Sequence, residues 1–128
     1  MGRILVVDDD ESVLQVLSEV LRDAGYDVVS AFDATETESL LDGVDAALID
    51  HDLGGHSGLD LIARIRSHNP ALPVVLMTGD SPARAASLAK LAGACAVLTK
   101  PFDIDDLSAT LDRAIGPSAA LRLGASLV

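Results

Sequence analysis

Four short apolar runs each stop on a polar residue, and this recurrence limits the fold more than any other feature. Ile4-Leu5-Val6-Val7 runs into Asp8-Asp9, Ala46-Ala47-Leu48-Ile49 into Asp50, Leu76-Met77 into Thr78, and Val97-Leu98-Thr99 into Lys100. Runs apolar at every position suit strands covered on both faces. Helical spacing follows them: Val13, Val16, Leu17, Val20 and Leu21 form one stripe that Gly25 ends as a left-handed C′ residue. A weaker pair follows, a strand over Asp27–Ala31 and a short helix over Ala34–Leu41 with Leu40 and Leu41 buried. After Asp50 comes a loop from His51 to Ser57, then a helix from Gly58 that turns Leu61, Ile62 and Ile65 inward, leaves Arg64 and Arg66 in water and ends before Asn69-Pro70. Ser81-Pro82 is an N-cap with proline at N1 for a helix ending near Gly93, and the last strand covers Cys95–Leu98. Asp103 caps a final helix with Ile104, Leu107, Leu111 and Ile115 inward and Gly116-Pro117 as its stop.

Five strands alternating with helices predict a parallel sheet, right-handed crossovers and helices on both faces. The expected fold is an α/β, doubly wound (βα)5 flavodoxin-like domain with strand order 2-1-3-4-5, which sets strands 1 and 3 side by side at the switch point where ligands bind. Asp8, Asp9 and Asp50 then become neighbours. Crowded carboxylates raise one another's pKa and are tolerated when a divalent cation neutralises them; all-oxygen ligation with room for water suits Mg2+. A carboxylate beside Mg2+ can attack a phosphoryl group, the role Asp50 fits, while the Lys100 ammonium and Thr78 hydroxyl match the remaining phosphoryl oxygens.

The chain has 128 residues, 49% of them apolar, which is the size of one domain with a substantial core. Tyr26, Phe32 and Phe102 are its only aromatics, so the core is aliphatic and there is no platform for stacking bases. A formal charge of −11 argues against direct nucleic-acid binding. Cys95 is the sole cysteine, expected as a small buried or half-buried hydrophobe, and excludes an internal disulfide. No apolar stretch reaches the ~20 residues of a membrane span and the start is too short for a signal peptide, so the expected location is cytoplasmic, without membrane contact.

Taken together, Ile4–Asp10, Leu48-Ile49-Asp50 followed by Gly58, Val75–Gly79 and Thr99-Lys100-Pro101-Phe102 resemble the receiver domain of two-component response regulators over roughly residues 3–115. The resemblance implies that Asp50 is the phosphoacceptor, Asp9 a direct Mg2+ ligand, Asp8 a largely water-mediated one and the main-chain carbonyl of Asp52 a further ligand. It implies that Thr78 moves toward the phosphoryl group, that Lys100 is its ion-pair partner, and that Lys100-Pro101 is cis. The phosphate would come from a histidine kinase or a histidine phosphotransfer protein. A downstream protein partner would bind through the fourth and fifth helices and the last strand, with homodimerisation left open. The chain departs from the family pattern at Gly54, where proline is common, at Ser57, where Asp is often found, and at His51, where an apolar residue is usual. Val97 stands where Tyr or Phe usually couples to the Thr movement, and Asp52 and Asp80 stand where side chains influence hydrolysis.

Simpler roles exist for each residue. Asp10 and Glu11 read as caps, and His51, His56 and His68 as surface residues, with His51 or His56 near enough to the site to tune it. The domain reading is a receiver over residues 1–116 and a short tail over 117–128, a free-standing regulator or one excised from a larger protein. The functional reading is a signalling switch, not an enzyme beyond its own phosphorylation and dephosphorylation. A degenerate receiver acting only as an interaction module is the alternative. A phosphatase resembling the haloacid dehalogenase superfamily, suggested by Asp50-His51-Asp52, fails on its sequence context.

Overall fold

A computed structural model describes residues 2–115 of the chain. Five parallel strands form its main sheet: β1 (Arg3–Val7), β2 (Asp27–Ala31), β3 (Ala46–Asp50), β4 (Val74–Thr78) and β5 (Ala96–Thr99), in spatial order β2-β1-β3-β4-β5. This is the expected order. Helices α1 (Glu11–Asp23), α2 (Ala34–Glu38), α3 (Gly58–His68), α4 (Pro82–Ala92) and α5 (Ile104–Ile115) alternate with them. Register fixes the upper edge of the sheet: Val7 lies beside Ile49, Asp50 beside Met77, and Thr78 beside Thr99.

The continuous apolar runs are explained by two cores, one on each face. Ile4, Val6, Leu48, Val75 and Met77 point toward α1 and α5, meeting Leu14, Leu17, Leu21, Leu107 and Leu111. Their neighbours Leu5, Val7, Ala47, Ile49, Val74 and Leu76 point the other way, onto Leu61, Ile62 and Ile65 of α3 and Ala89 and Ala92 of α4. Successive strand residues alternate faces, so burial on both sides demands apolar side chains throughout. Every residue of β3 and β4 is buried, Asp50 and Thr78 included.

Caps set the helix limits. Asp10 accepts the N–H groups of Ser12 and Val13 to open α1, and Gly25, at φ 99°, follows its end. Ser81 and Pro82 start α4, and Gly93, at φ 87°, closes it. Asp103 and Asp106 exchange backbone N–H to carboxylate bonds at the start of α5.

Several expectations give way. The second helix ends at Glu38 rather than Leu41: Leu40 N–H turns back to the Thr37 carbonyl, and Leu40 and Leu41 are only half-buried. Val16 and Ile104 are exposed, because Leu14 fills the inward position in α1 and α5 turns Leu107 and Leu111 to the sheet. Arg66 is half-buried, since its Nη1 donates to the carbonyl of Leu72 after the helix. The last strand is Ala96–Thr99, and Cys95 just before it is exposed rather than buried. Between His51 and Ser57 lies a small antiparallel ladder pairing Asp52–Leu53 with His56–Ser57, not plain loop. The Gly116-Pro117 stop and the 117–128 tail lie outside the described residues. Among those described, no helix is long and apolar enough to cross a membrane.

Candidate functional site

The upper ends of β1, β3, β4 and β5 supply the site, and the backbone holds each contributor. Asp8 N–H bonds to Ala31 of β2, His51 N–H to the Met77 carbonyl at 2.8 Å, and Lys100 N–H to the Thr78 carbonyl at 2.7 Å. Asp8, Asp9 and Asp50 each offer a carboxylate oxygen, and these atoms lie within 4.8 Å of one another. The Lys100 ammonium joins two of them, 2.7 Å from Asp8 Oδ2 and 3.0 Å from Asp50 Oδ1. Asp8 Oδ1 also accepts the Asp10 N–H at 2.9 Å, which ties the carboxylate to the start of α1. The Lys100-Pro101 peptide is cis, as the resemblance implied.

The electrostatics follow from burial. Asp8 is fully buried and Asp50 is 7% exposed. Burial raises the Asp50 pKa above its ordinary 3.8; the Lys100 hydrogen bond opposes this, and the charges of Asp8 and then Asp9 add to it. For Lys100, burial pulls the pKa down, but hydrogen bonds to Asp8 and Asp50 outweigh it, and the net shift is upward from 10.5. Ionised, the three carboxylates and one ammonium leave two negative charges uncompensated. That surplus and the all-oxygen donor set fit a hard divalent cation such as Mg2+.

Glycine at 58 has a steric cause. A Cβ there would stand 1.8 Å from the Asp50 carbonyl oxygen, inside any allowed contact, and Gly58 N–H donates to the His51 carbonyl at 2.7 Å. The first residue of α3 therefore clamps the chain just after Asp50. Ser57 caps that helix through the Leu59 N–H, a helix-capping use for the position where the family often has Asp. Gly54 adopts φ 59°, which a proline ring fixed near −65° cannot take, so this loop follows a path that the family's common proline would forbid. Asp52 is exposed and pairs with Ser57 in the short ladder.

Thr78 is 1% exposed, and its hydroxyl is held on two sides. Asp80 N–H donates to Thr78 Oγ1 at 3.2 Å, and His51 Nδ1 lies 3.2 Å from the same oxygen. Asp80 Oδ2 is 3.6 Å from His51 Nδ1, and Asp80 Oδ1 is 3.5 Å from Arg84 Nε in the first turn of α4. Sequence reasoning set His51 near the site but did not give it a partner; the departure from an apolar residue was the available signal. His56 and His68 are exposed. Val97 is half-buried in β5 beside Leu76.

Comparison with known proteins identifies the family and the fold. The family model described as response regulator receiver domain matches residues 4–112. The chain is similar to the DNA-binding transcriptional regulator NtrC of Salmonella typhimurium, 39% identical over 116 residues that cover 89% of this chain and 25% of that protein. It is also similar to the alginate biosynthesis transcriptional regulatory protein AlgB of Pseudomonas aeruginosa, 39% identical over 108 residues, 83% of this chain and 24% of that one. The chain thus spans about a quarter of the length of these curated relatives. Among solved structures, it is similar to a receiver domain protein from Clostridium thermocellum, with TM-score 0.82, 30% identity and coverage of 94% of this chain and 99% of that one. The chemotaxis protein CheY4 of Vibrio cholerae gives TM-score 0.80 at 29% identity, covering 89% of this chain and 98% of that one.

Proposed function

Because the chain belongs to the response regulator receiver domain family, homologous to the phosphoacceptor domains of two-component systems, we propose that Asp50 is its phosphoacceptor. The observation that carries this is the gathering of Asp8, Asp9 and Asp50 within 4.8 Å, with Lys100 bonded to two of them. A carboxylate oxygen of Asp50 attacks the phosphorus of a phosphohistidine on a histidine kinase or phosphotransfer protein. The P–N bond breaks, and the imidazole leaves with the electron pair. Asp8, Asp9, Asp50 and the Asp52 carbonyl would hold Mg2+, which when bound screens the carboxylate from the incoming anionic oxygens.

Within this reading each side chain has a task. Lys100 meets one phosphoryl oxygen and Thr78 another; Thr78 ends β4 and Lys100 directly follows β5, so the sheet fixes their direction. The receiver domain occupies residues 1–116. The switched surface includes α4, α5 and β5, where Leu91 is 84% exposed and Ile104 45%, and offers a downstream partner apolar side chains without a cost in unfolding. The protein acts as a switch, not as a turnover enzyme.

Mg2+ with acetyl phosphate should add one phosphoryl group, detectable by mass, and beryllofluoride, which mimics that group, should bind saturably by backbone NMR; Asp50→Asn should abolish both. No saturable response to Mg2+ in the unsubstituted protein would instead mark a degenerate receiver that only binds partners.

A further inference from the structure

Thr78 stands against His51, whose position in the chain departs from the family pattern. We propose that His51 is a positioning residue that turns the Thr78 hydroxyl into a donor aimed at an incoming phosphoryl oxygen; this rests on Asp50 being the phosphoacceptor. A threonine hydroxyl has one hydrogen to give and two lone pairs to fill. The Asp80 N–H, 3.2 Å away, fills one lone pair. His51 Nδ1, also at 3.2 Å, either fills the second as an N–H donor or takes the hydroxyl hydrogen as an acceptor.

Asp80 decides between these. Its Oδ2 lies 3.6 Å from the same Nδ1, too far to accept a hydrogen bond, so the carboxylate favours the tautomer with hydrogen on Nδ1 but leaves that hydrogen to the nearer Thr78 oxygen. His51 then donates to Thr78 Oγ1. With both lone pairs filled, the only bond left to the hydroxyl is the one that its own hydrogen makes, and a phosphoryl group is an acceptor. Thr78 is 1% exposed, so water does not compete for that hydrogen freely. An apolar residue at position 51 leaves a lone pair unfilled and the hydroxyl free to rotate. The imidazole thus meets in advance part of the cost of ordering Thr78, which is how preorganisation raises affinity.

The test is the half-saturation concentration of beryllofluoride at saturating Mg2+, followed by backbone amide NMR signals of the residues around Asp50, which remain in every variant. One net hydrogen bond corresponds to about a two- to tenfold change, so His51→Leu should raise the half-saturation by that factor. His51→Asn, whose amide nitrogen falls near the place of Nδ1, should restore most of it, while His51→Gln, which reaches toward the place of Nε2, should not. In a Thr78→Ala background, His51→Leu should change nothing further, a result that a merely structural role would not give. Equal or tighter binding by His51→Leu, rescue by Gln as good as by Asn, or an undiminished His51 effect without the Thr78 hydroxyl would each overturn the proposal. A wild-type protein with no saturable response would overturn the phosphoacceptor reading itself, and this proposal with it; a saturable wild type with indifferent His51 variants removes this proposal alone.

Discussion

Replacing Lys100 by methionine keeps the apolar stem out to Cε and removes the ammonium, so the effect isolates what that group does. Its Nζ lies 2.7 Å from Asp8 Oδ2 and 3.0 Å from Asp50 Oδ1, and Asp8 is fully buried. At an effective dielectric near 20, each contact is an attraction of about 6 kcal/mol before the cost of desolvation. Removing one partner of a buried pair costs about 3–5 kcal/mol because the remaining charge is stranded. The Lys100 side chain is 27% exposed, so water relieves part of that, and the lower end, about 3 kcal/mol, applies. For a domain of this size about 1 kcal/mol moves Tm by roughly 4 °C, so metal-free Lys100→Met should melt about 12 °C lower. Mg2+ should then raise Tm more in Lys100→Met than in the unsubstituted protein, since it meets an uncompensated carboxylate cluster. Circular dichroism melts in chelator and in saturating Mg2+ measure both quantities. A metal-free loss below about 3 °C, or equal Mg2+ increments in the two proteins, would refute the charge balance assigned to the site.

Asp50→Asn should stabilise the metal-free protein at neutral pH. The folded pKa of Asp50 lies above its unfolded 3.8, so the stability that its proton supplies is fully present below pH 3.8 and lost as pH rises through the folded value. The advantage of Asn, read by urea unfolding across pH, should therefore vanish toward acid. By the same shift, Mg2+ affinity measured by calorimetry should begin to fall, on acidification, at a higher pH than an unshifted aspartate would give. Gly58→Ala should cost about 3 kcal/mol, the upper end for overpacking, and weaken Mg2+ binding as well, because the new Cβ meets the Asp50 carbonyl at 1.8 Å. Gly54→Pro, which brings in the residue common in the family, should destabilise this protein by about 1–3 kcal/mol, since φ there is 59°.

How far the site was legible depends on whether a residue's neighbours lie along the strand or across it. Asp8, Asp9, Asp50, Thr78 and Lys100 each follow an apolar run, and once the strand order is known their meeting follows from topology. The position of Gly58 could be noticed, but its reason could not: the 1.8 Å clash with Asp50 depends on how α3 doubles back after the short ladder. Val16 and Ile104 were misplaced because helical periodicity names a stripe about one face wide, and its margin is decided by the angle at which the helix lies on the sheet. Cys95 was misplaced by composition, since free cysteines are usually buried, whereas here the chain passes over the surface between α4 and β5. His51 could be marked as out of pattern, but its partner, 27 positions away, needed three dimensions.

The aliphatic side chain of Val97 bears on how a change proposed at Thr78 would reach the surface. Val97 sits half-buried beside Leu76 in the sheet and packs in the core on the α3 and α4 side, so it offers bulk without a ring that can swing between two positions. A second connection leaves Thr78 from the other side: its hydroxyl meets Asp80 N–H, and the Asp80 carboxylate approaches both His51 and Arg84 of α4. Arg84 is 67% exposed and Asp80 33%, so their pair by itself is worth well under about 1 kcal/mol. It would act by direction, because a shift of Thr78 that dragged the Asp80 backbone would alter the first turn of α4, the helix that carries Leu91 outward. Arg84→Ala should therefore leave beryllofluoride half-saturation within about twofold while reducing the chemical-shift changes that the mimic produces along α4. If α4 responds to beryllofluoride as fully without Arg84 as with it, the signal travels through the β4–β5 packing around Val97 instead.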